Sequence, residues 1–194
     1  MEEGGNELSA KIQKVCIMTV VLGIDPGLTG ALAVLDSDGK LEVWDIPTHE
    51  IEVGKKRKKT INLQYLDRIF ADIRSMALIA YIERVGARPK QGVTSCFNFG
   101  VVYGALKMGL AAHNFSVNTV EAREWCKVLR VPRGKDGSLL RASELMPSCA
   151  EHWPLKKHHN RADAALIAYY GLQRDGAAPV ATSTTRRRLR RRVG

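Results

Sequence analysis

The stretch VVLGIDPGLTGALAV (residues 20–34) decides the fold of this chain. An apolar run ends on Asp25, glycines mark a tight turn, and a second apolar run follows. This pattern predicts two adjacent strands with Asp25 at their junction. A carboxylate in apolar surroundings costs free energy unless it has a partner. The stretch alone therefore indicates a site for a metal ion or for a phosphate, and it leaves that choice open.

A third strand is predicted directly downstream. The segment DSDG at residues 36–39 is a turn signal, and the alternating segment Leu41–Ile46 follows it before Pro47. An Asp-Gly turn between two apolar segments is typical of a hairpin. Residues 15–46 therefore predict a meander of three antiparallel strands.

Length and charge limit the class of protein. A chain of 194 residues suits one domain with a sizeable core. Its formal net charge of +10 indicates a polyanionic partner, either nucleic acid or an acidic membrane surface. An excess of this size favours nucleic acid over a merely solubilising surface.

Cysteine usage and the N-terminal residues indicate an intracellular protein. The cysteines are far apart and form no CxxC pair, which argues against a zinc ribbon or a disulfide framework: Cys16, Cys96, Cys126 and Cys149. The apolar run at residues 17–24 is too short for a spanning helix and lacks the flanks of a secretory signal. Early acidic residues argue against a transit peptide, and no membrane association is expected.

A second strand is predicted to end on a carboxylate. Residues 62–76 have the apolar spacing of an amphipathic helix, with Asn62 as its cap. Residues 77–82 then form a buried strand that ends at Glu83. If this strand pairs in parallel with the first one, Glu83 lies beside Asp25 at the same end of the sheet, where open sheets carry their sites.

The remaining pattern completes one domain. Helices are predicted over residues 95–112, 121–129 and 139–146, a strand over 115–120, and an alanine-rich helix from Ala164 to Gly171. Gly100, Gly104 and Gly109 predict close packing of the first of these helices against the sheet. We expect a flexible lead-in over residues 1–14, one domain over 15–175 and a disordered Arg-rich tail over 176–194.

Basic and aromatic segments indicate how a polyanion is bound. Cations and aromatic rings fall mainly in predicted loops and at a helix start, and we expect the following to contact nucleic acid: Lys55, Lys56, Arg57, Lys58, Lys59, Arg88, Lys90, Phe97, Phe99, Arg133 and Lys135. Five consecutive cations repel one another and gain most when phosphates neutralise them. The two phenylalanines are candidates for stacking on unpaired bases.

A third carboxylate favours the metal over the phosphate. Asp163 opens the alanine-rich helix, and His159 lies four residues earlier on the same face. Asp25, Glu83 and Asp163 brought together would repel one another and shift their pKa values, so their convergence indicates divalent cations. Hard oxygen ligands favour Mg²⁺ or Mn²⁺, and a site with two ions suits phosphodiester hydrolysis.

Three motifs stand in order along the chain: GIDPG at residues 23–27 with Gly30, YIE at 81–83, and HNRADA at 159–164. Together they resemble the RuvC-type Holliday junction resolvases of the RNase H-like superfamily, over about residues 20–171. The pattern is nearest to plant chloroplast resolvases, which also share the Val-Gly-basic segment at 53–59 and the Ala-Ser-Glu segment at 142–144 before Pro147. Phage RuvC-like proteins match comparably.

The resemblance implies an α/β fold with an RNase H-like mixed five-stranded sheet, three strands antiparallel and two parallel, flanked by helices. It implies a homodimeric, metal-dependent endonuclease that cuts four-way DNA junctions symmetrically in recombination and repair. Asp25, Glu83 and Asp163 would hold two Mg²⁺ or Mn²⁺ ions. Many bacterial RuvC proteins have an acid where this chain has Asn160, and the chloroplast-type pattern instead assigns the fourth position, as ligand or catalytic aid, to His159.

Two other classes share parts of this pattern. An RNase H-like nuclease that acts on RNA–DNA hybrid or on a transposon end would use the same carboxylates. A catalytically inactive junction-binding module is the other alternative, although such a module is expected to lack one of them. Actin-like ATPases and sugar kinases also open with an Asp-Gly turn, but they need a second phosphate loop and a longer chain. The compartment, bacterial or phage-host cytoplasm or an organelle, stays open.

Overall fold

The computed structural model describes residues 19–77, 79–86, 92–134 and 136–175. The predicted lead-in, the Arg-rich tail, Arg88, Lys90 and Lys135 lie outside these residues. The described part contains seven strands: β1 Val20–Asp25, β2 Ala31–Asp36, β3 Leu41–Asp45, β4 Thr48–Val53, β5 Lys56–Ile61, β6 Ile79–Glu83 and β7 Ser116–Val120. Its α-helices are α1 Leu63–Arg74, α2 Val93–Ala112, α3 Ala122–Val128, α4 Gly137–Leu145 and α5 His159–Arg174, and short 3-10 helices cover Pro147–His152 and Lys156–His158.

The central sheet has five strands in the order β3-β2-β1-β6-β7. β1, β2 and β3 pair antiparallel, whereas β6 pairs in parallel with both β1 and β7. This mixed sheet, with helices on both faces, confirms the predicted fold class. The strands β1 and β2 are almost continuously apolar because both of their faces are covered, as alternate residues enter two separate cores.

Each face of the sheet has its own helical layer. On one face, α1 and α2 supply core residues such as Phe70 and Leu106. On the other face, α3, α4 and α5 do the same with Trp125, Ala142 and Leu166. Helix α1 begins as predicted, because the Asn62 Oδ1 accepts a hydrogen bond of 3.0 Å from a backbone N–H in its first turn. None of the described helices is both long enough and apolar enough to cross a membrane.

The prediction that the glycines of α2 pack closely against the sheet was wrong. An added Cβ on Gly109 would stand 2.5 Å from Phe70 Cε2, so Gly109 allows close packing against α1 rather than against the sheet. At Gly100 and Gly104 nothing lies within 4 Å of such a Cβ, because this side of α2 is open. These two glycines therefore leave part of α2 without side chains on its exposed surface.

A hairpin of β4 and β5 was only partly predicted. The five consecutive cations were expected on a loop or hairpin tip, and the structure places Lys55 in the turn and the other four on β5. Strand β4, Thr48–Val53, was not expected, because its residues are almost all exposed and give no core periodicity. The hairpin starts where β3 ends, and Ile46 N–H donates to the Gly30 carbonyl oxygen at 2.9 Å. It therefore leaves the sheet from the same edge as the turn after Asp25.

Helix α5 lies directly on β1, because small residues meet where the two cross. A Cβ atom added to Gly23 would overlap the carbonyl oxygen of Ala164 and the backbone nitrogen of Ala168. Further along the same helix, a Cβ added to Gly171 would stand 2.8 Å from Val21 Cγ1 of β1. The helix and the strand thus touch through their backbones, and no larger residue fits at Gly23 without moving α5.

We expect Gly23→Ala to destabilise the fold by about 3 kcal/mol or more, since the added methyl group meets backbone atoms that cannot rotate away. Urea unfolding measures the change. Gly86→Ala is the control: its Cβ meets no heavy atom within 4 Å, so it should change the free energy of unfolding by no more than about 0.5 kcal/mol. A Gly23→Ala variant as stable as the wild type would contradict the close backbone contact.

Candidate active site at the sheet edge

Two of the predicted carboxylates end neighbouring parallel strands. Ile24 of β1 pairs with Ile82 of β6, so the next residues, Asp25 and Glu83, lie side by side at the same edge. The turn after Asp25 is tight: a Cβ added to Gly30 would overlap the Asp25 carbonyl oxygen. The turn can therefore bend sharply enough to begin β2 directly, and it presents the Asp25 side chain at the edge.

The third carboxylate reaches the same edge on helix α5. Asp163 precedes Ala164, which lies on Gly23, two residues before Asp25 on β1. Burial raises the pKa of Asp25 well above its ordinary value, and the negative charges of Asp163 and Glu83 raise it further. Since both neighbours act on Asp25, the structure brings together the three carboxylates that the sequence singled out.

Helices α3 and α4 each donate a side-chain hydrogen bond to one of the two carboxylates that flank Asp25, namely Glu83 and Asp163. The Trp125 indole Nε1–H of α3 donates a 3.0 Å hydrogen bond to Glu83 Oε2, and Trp125 is only 2% exposed. Burial also raises the pKa of Asp163, while a hydrogen bond from Ser138 of α4 and the positive charge of His159 lower it. Helices α3 and α4 therefore restrict where these two carboxylates can point.

A thiol lies close to the same cluster. Burial raises the pKa of Cys126 to about 11, and the charges of Asp163 and Glu83 contribute to the rise. Cys126 follows Trp125 on α3 and is half-buried. At neutral pH this cysteine is a neutral thiol, as expected for a reduced core residue, and not a nucleophile.

His159 and Asn160 point to different surroundings. His159 is exposed, its Nδ1 lies 3.3 Å from the Lys156 carbonyl oxygen, and its charge acts on Asp163. The Asn160 amide Nδ2–H instead donates to the Thr29 carbonyl oxygen at 2.5 Å and ties the start of α5 to the turn after Asp25. His159 is therefore the residue whose charge acts on Asp163, whereas the Asn160 side chain is used in the hydrogen bond to the Thr29 carbonyl oxygen.

The donor chemistry of the cluster is that of a site for hard cations. Three carboxylates at one edge offer the oxygen ligands that Mg²⁺ and Mn²⁺ prefer. Within the residues described, however, no three or more His, Cys, Asp or Glu side chains form a group that could hold a metal ion as they stand. The carboxylates interact through their charges, and their side chains are not closed around one point.

Of the residues predicted to contact nucleic acid, those that the structure describes lie on the β4–β5 hairpin, on α2 and in the segment before α4. The hairpin cations at residues 55–59 are all exposed, as is Arg133. Phe97, near the start of α2, is 70% exposed. The Phe99 ring lies against the turn after Asp25, where its Cε2 would stand 3.7 Å from a Cβ added to Gly27. Of the two phenylalanines, Phe97 has a free ring, while Phe99 is partly covered beside the site.

Sequence reasoning missed Trp125 and Ser138. Trp125 lies 42 residues from Glu83 along the chain, and its helix has no motif that marks a contact with a carboxylate. Ser138 precedes an apolar pair at the start of α4, where it suggests only a helix-start residue. Both contacts depend on tertiary packing, so no local signal identified them.

Comparison with known proteins supports the same fold. No protein-family model matches the chain. The chloroplastic Holliday junction resolvase MOC1 of Chlamydomonas reinhardtii is 27% identical over 153 residues, covering 67% of this chain and 17% of that protein. The chain thus spans 17% of the length of this curated relative.

Solved structures give a similar result. Thermus thermophilus RuvC in complex with a Holliday junction substrate aligns with a TM-score of 0.51 at 16% identity, covering 83% of this chain and 98% of that one. The fowlpox virus Holliday junction resolvase aligns with a TM-score of 0.40 at 15% identity, covering 80% and 97%. The alignment with Thermus thermophilus RuvC confirms the resemblance drawn from the three motifs at the level of the fold.

The carboxylate cluster should lower the stability of the fold at neutral pH. Because the folded state raises the pKa of Asp25, folding favours the protonated form, and stability is lost as the pH rises from about 3.8 through the raised value. Asp25→Asn removes this penalty. We expect the variant to be more stable than the wild type by on the order of 1–2 kcal/mol at neutral pH, with little difference below pH 4. Thermal unfolding at both pH values measures this, and an unstabilised variant at neutral pH would contradict it.

Proposed function

We propose that this chain is a metal-dependent endonuclease that resolves four-way (Holliday) DNA junctions by paired symmetric phosphodiester hydrolysis, in recombination and repair. The observation that carries the proposal is the meeting of Asp25, Glu83 and Asp163 at one sheet edge, from which the basic hairpin also projects. The RuvC-like fold supports it, and so does the name of the curated relative, a Holliday junction resolvase.

The cluster fits a divalent cation in its donor chemistry. Asp25, Glu83 and Asp163 would hold Mg²⁺ or Mn²⁺, and two ions per site are proposed, since the three carboxylates offer hard oxygen ligands at one edge. When bound, such ions lower the pKa of water and stabilise the oxygen that leaves phosphorus. The mutual repulsion that raises the pKa of Asp25 is the interaction that positive charge relieves.

The chain's own residues prepare this chemistry. Trp125 and Ser138 fix the outer carboxylates, so Glu83 and Asp163 are oriented before a phosphate arrives. His159 is exposed beside Asp163, where it would complete the ligand set or hold a proton at the attacking water or at the phosphate. Asn160 keeps the start of α5 against the Asp25 turn.

DNA would be held mainly through its phosphates. The hairpin cations Lys55, Lys56, Arg57, Lys58 and Lys59 project from the site edge, and Arg133 is exposed near α4; Arg88, Lys90 and Lys135 are proposed from the sequence alone. Such contacts depend steeply on salt and carry little sequence information. Phe97 has the exposed ring that stacking on an unpaired base at a junction centre requires, and Phe99 would line the site beside the turn after Asp25.

A homodimer is proposed because a junction with two symmetric cuts needs two sites. The exposed side of α2 supports it: Val93, Val101 and Met108 are 86%, 45% and 66% exposed and follow one face of the helix. Gly100 and Gly104 lie on this side with open space around them, which would let a second helix approach closely. The unit from residue 15 to 175 is proposed as the nuclease domain.

The location is proposed as a DNA-containing intracellular compartment. The curated relative is named as chloroplastic, and a plastid is one such compartment. The bacterial or phage-host cytoplasm is the other that the motifs allow.

The proposed activity predicts that the purified protein with Mg²⁺ cuts a mobile four-way junction at paired symmetric positions, leaving nicks that ligase seals. Mapping the cuts on labelled junction strands tests this. An RNA–DNA hybrid duplex is the comparison substrate, and faster cutting of the hybrid would favour the other RNase H-like class. Asp25→Asn should abolish cutting and keep junction binding. Full activity in this variant would contradict the carboxylate site.

The Trp125 contact predicts a positioning effect on Glu83. Trp125→Phe keeps most of the packing but removes the hydrogen bond to Glu83 Oε2, so we expect cutting to fall by about tenfold and to need more Mg²⁺, with junction affinity unchanged. Trp153→Phe is the matched control, since Trp153 is also buried and donates at 2.9 Å to Ser143, away from the carboxylates. If both variants show the same Mg²⁺ dependence, Trp125 serves only packing.

A further inference from the structure

We propose that a cleft along β7, the β7 cleft, binds a second stretch of nucleic-acid sugar-phosphate backbone next to the carboxylate site. The cleft has a volume of about 870 Å³. Its cations are Arg84, Lys107, Arg123 and Lys127, and its lining also includes Tyr103, Thr119, Glu121 and Glu124. The inference rests on the proposed function, because it names where the same substrate continues beyond the site.

The β7 cleft begins directly beside the sheet edge that carries the carboxylates. Arg84 follows Glu83, and its backbone N–H donates to the Val120 carbonyl oxygen at 2.6 Å, which extends the ladder between β6 and β7. Thr119 pairs with Ile82 one step before that edge. Strand β6, which carries Glu83, thus also forms the floor of the cleft together with β7. A nucleic-acid chain that extends from Glu83 into the cleft reaches Arg84 first.

Helices α2 and α3 form the walls of the cleft, and both carry cations that line it. On α3, Arg123 and Lys127 are four residues apart and so share one face, whereas Trp125 between them is buried against Glu83. On α2, Tyr103 and Lys107 have the same spacing, and Lys107 Nζ lies 5.7 Å from the centroid of the Tyr103 ring. Cations therefore face the cleft from both sides at positions fixed by helix geometry.

These cations are only weakly neutralised by the protein. Arg84 and Arg123 share one carboxylate, Glu121, at 3.8 and 2.7 Å, and both arginines are mostly exposed, so the pairs contribute little free energy and can exchange for phosphate. In the described part of the chain, Lys107 and Lys127 have no acidic partner within ion-pair distance.

The second acid that lines the cleft interacts with residues outside the cleft. Glu124 accepts a hydrogen bond from the Tyr170 hydroxyl and lies 3.9 Å from Arg174, neither of which lines the cleft. Four cations against two partly satisfied acids leave an excess of positive charge in the β7 cleft. Successive phosphates of a nucleic-acid strand would neutralise it and release counterions, which is the usual source of such affinity.

The test compares single and double neutralisation in the cleft with neutralisation elsewhere. We expect Lys107→Gln/Lys127→Gln to lower the affinity for a four-way junction by about tenfold at moderate salt and to reduce the slope of log affinity against log salt by about two, and each single change to give about half of that slope effect. Lys40→Gln is the control, because Lys40 lies at the opposite end of the sheet and binds Glu42 at 2.9 Å. Fluorescence anisotropy with a labelled junction over a salt series measures both quantities.

Two results would overturn the proposal: an unchanged salt slope in the double variant, or an equal loss per charge in Lys40→Gln, which would show only long-range attraction. Circular dichroism and thermal unfolding check that the double variant is folded; if it is not, the single variants carry the test. Cutting by the wild-type protein is scored separately. A wild type that binds junctions without cutting them would contradict the proposed function and leave the cleft measurement valid.

Discussion

The backbone contact between β1 and α5 at Gly23 is the constraint on which the site depends. A strand and a helix normally stand apart by the depth of their side chains, but here glycine and two alanines let them touch. The contact fixes both the distance and the rotation of α5 relative to β1, and therefore the place of Asp163 relative to Asp25. Asn160 adds a second tie between the same helix and the turn after Asp25.

This arrangement concentrates negative charge at a partly buried edge, at a cost in stability that the surrounding residues only partly offset. The Trp125 hydrogen bond and the Ser138 hydrogen bond each stabilise one carboxylate, but the pKa of Asp25 stays raised by burial and by both neighbours. A purely structural protein would gain from replacing one of the three. The retained repulsion is what the proposed divalent cation would relieve.

Most of the fold and the centre of the site could be predicted from the sequence, because both depend on local patterns. Apolar strands that end on Asp25 and Glu83, and a helix that carries Asp163, follow from periodicity and from the parallel pairing of β1 and β6. Strand β4 was missed because an exposed hairpin strand has no buried face to produce a period. Trp125 and Ser138 were missed because their partners are distant in the chain, and Gly100 and Gly104 misled because a glycine in a helix permits close packing without requiring it.

The register of the β4–β5 hairpin gives its two faces opposite characters. Paired residues of antiparallel strands share a face, so Glu50 opposes Lys59 and Glu52 opposes Arg57 on one side, which also ends at the buried Ile61. On the other side Lys56 and Lys58 oppose only Val53 and Ile51. The run of cations therefore does not behave as one patch: Arg57 and Lys59 stand across from acids, with Arg57 3.6 Å from Glu50, whereas Lys56 and Lys58 belong to a basic and apolar face. The two faces of the hairpin therefore differ, and a polyanion that lies on the face of Lys56 and Lys58 meets no acid of the hairpin.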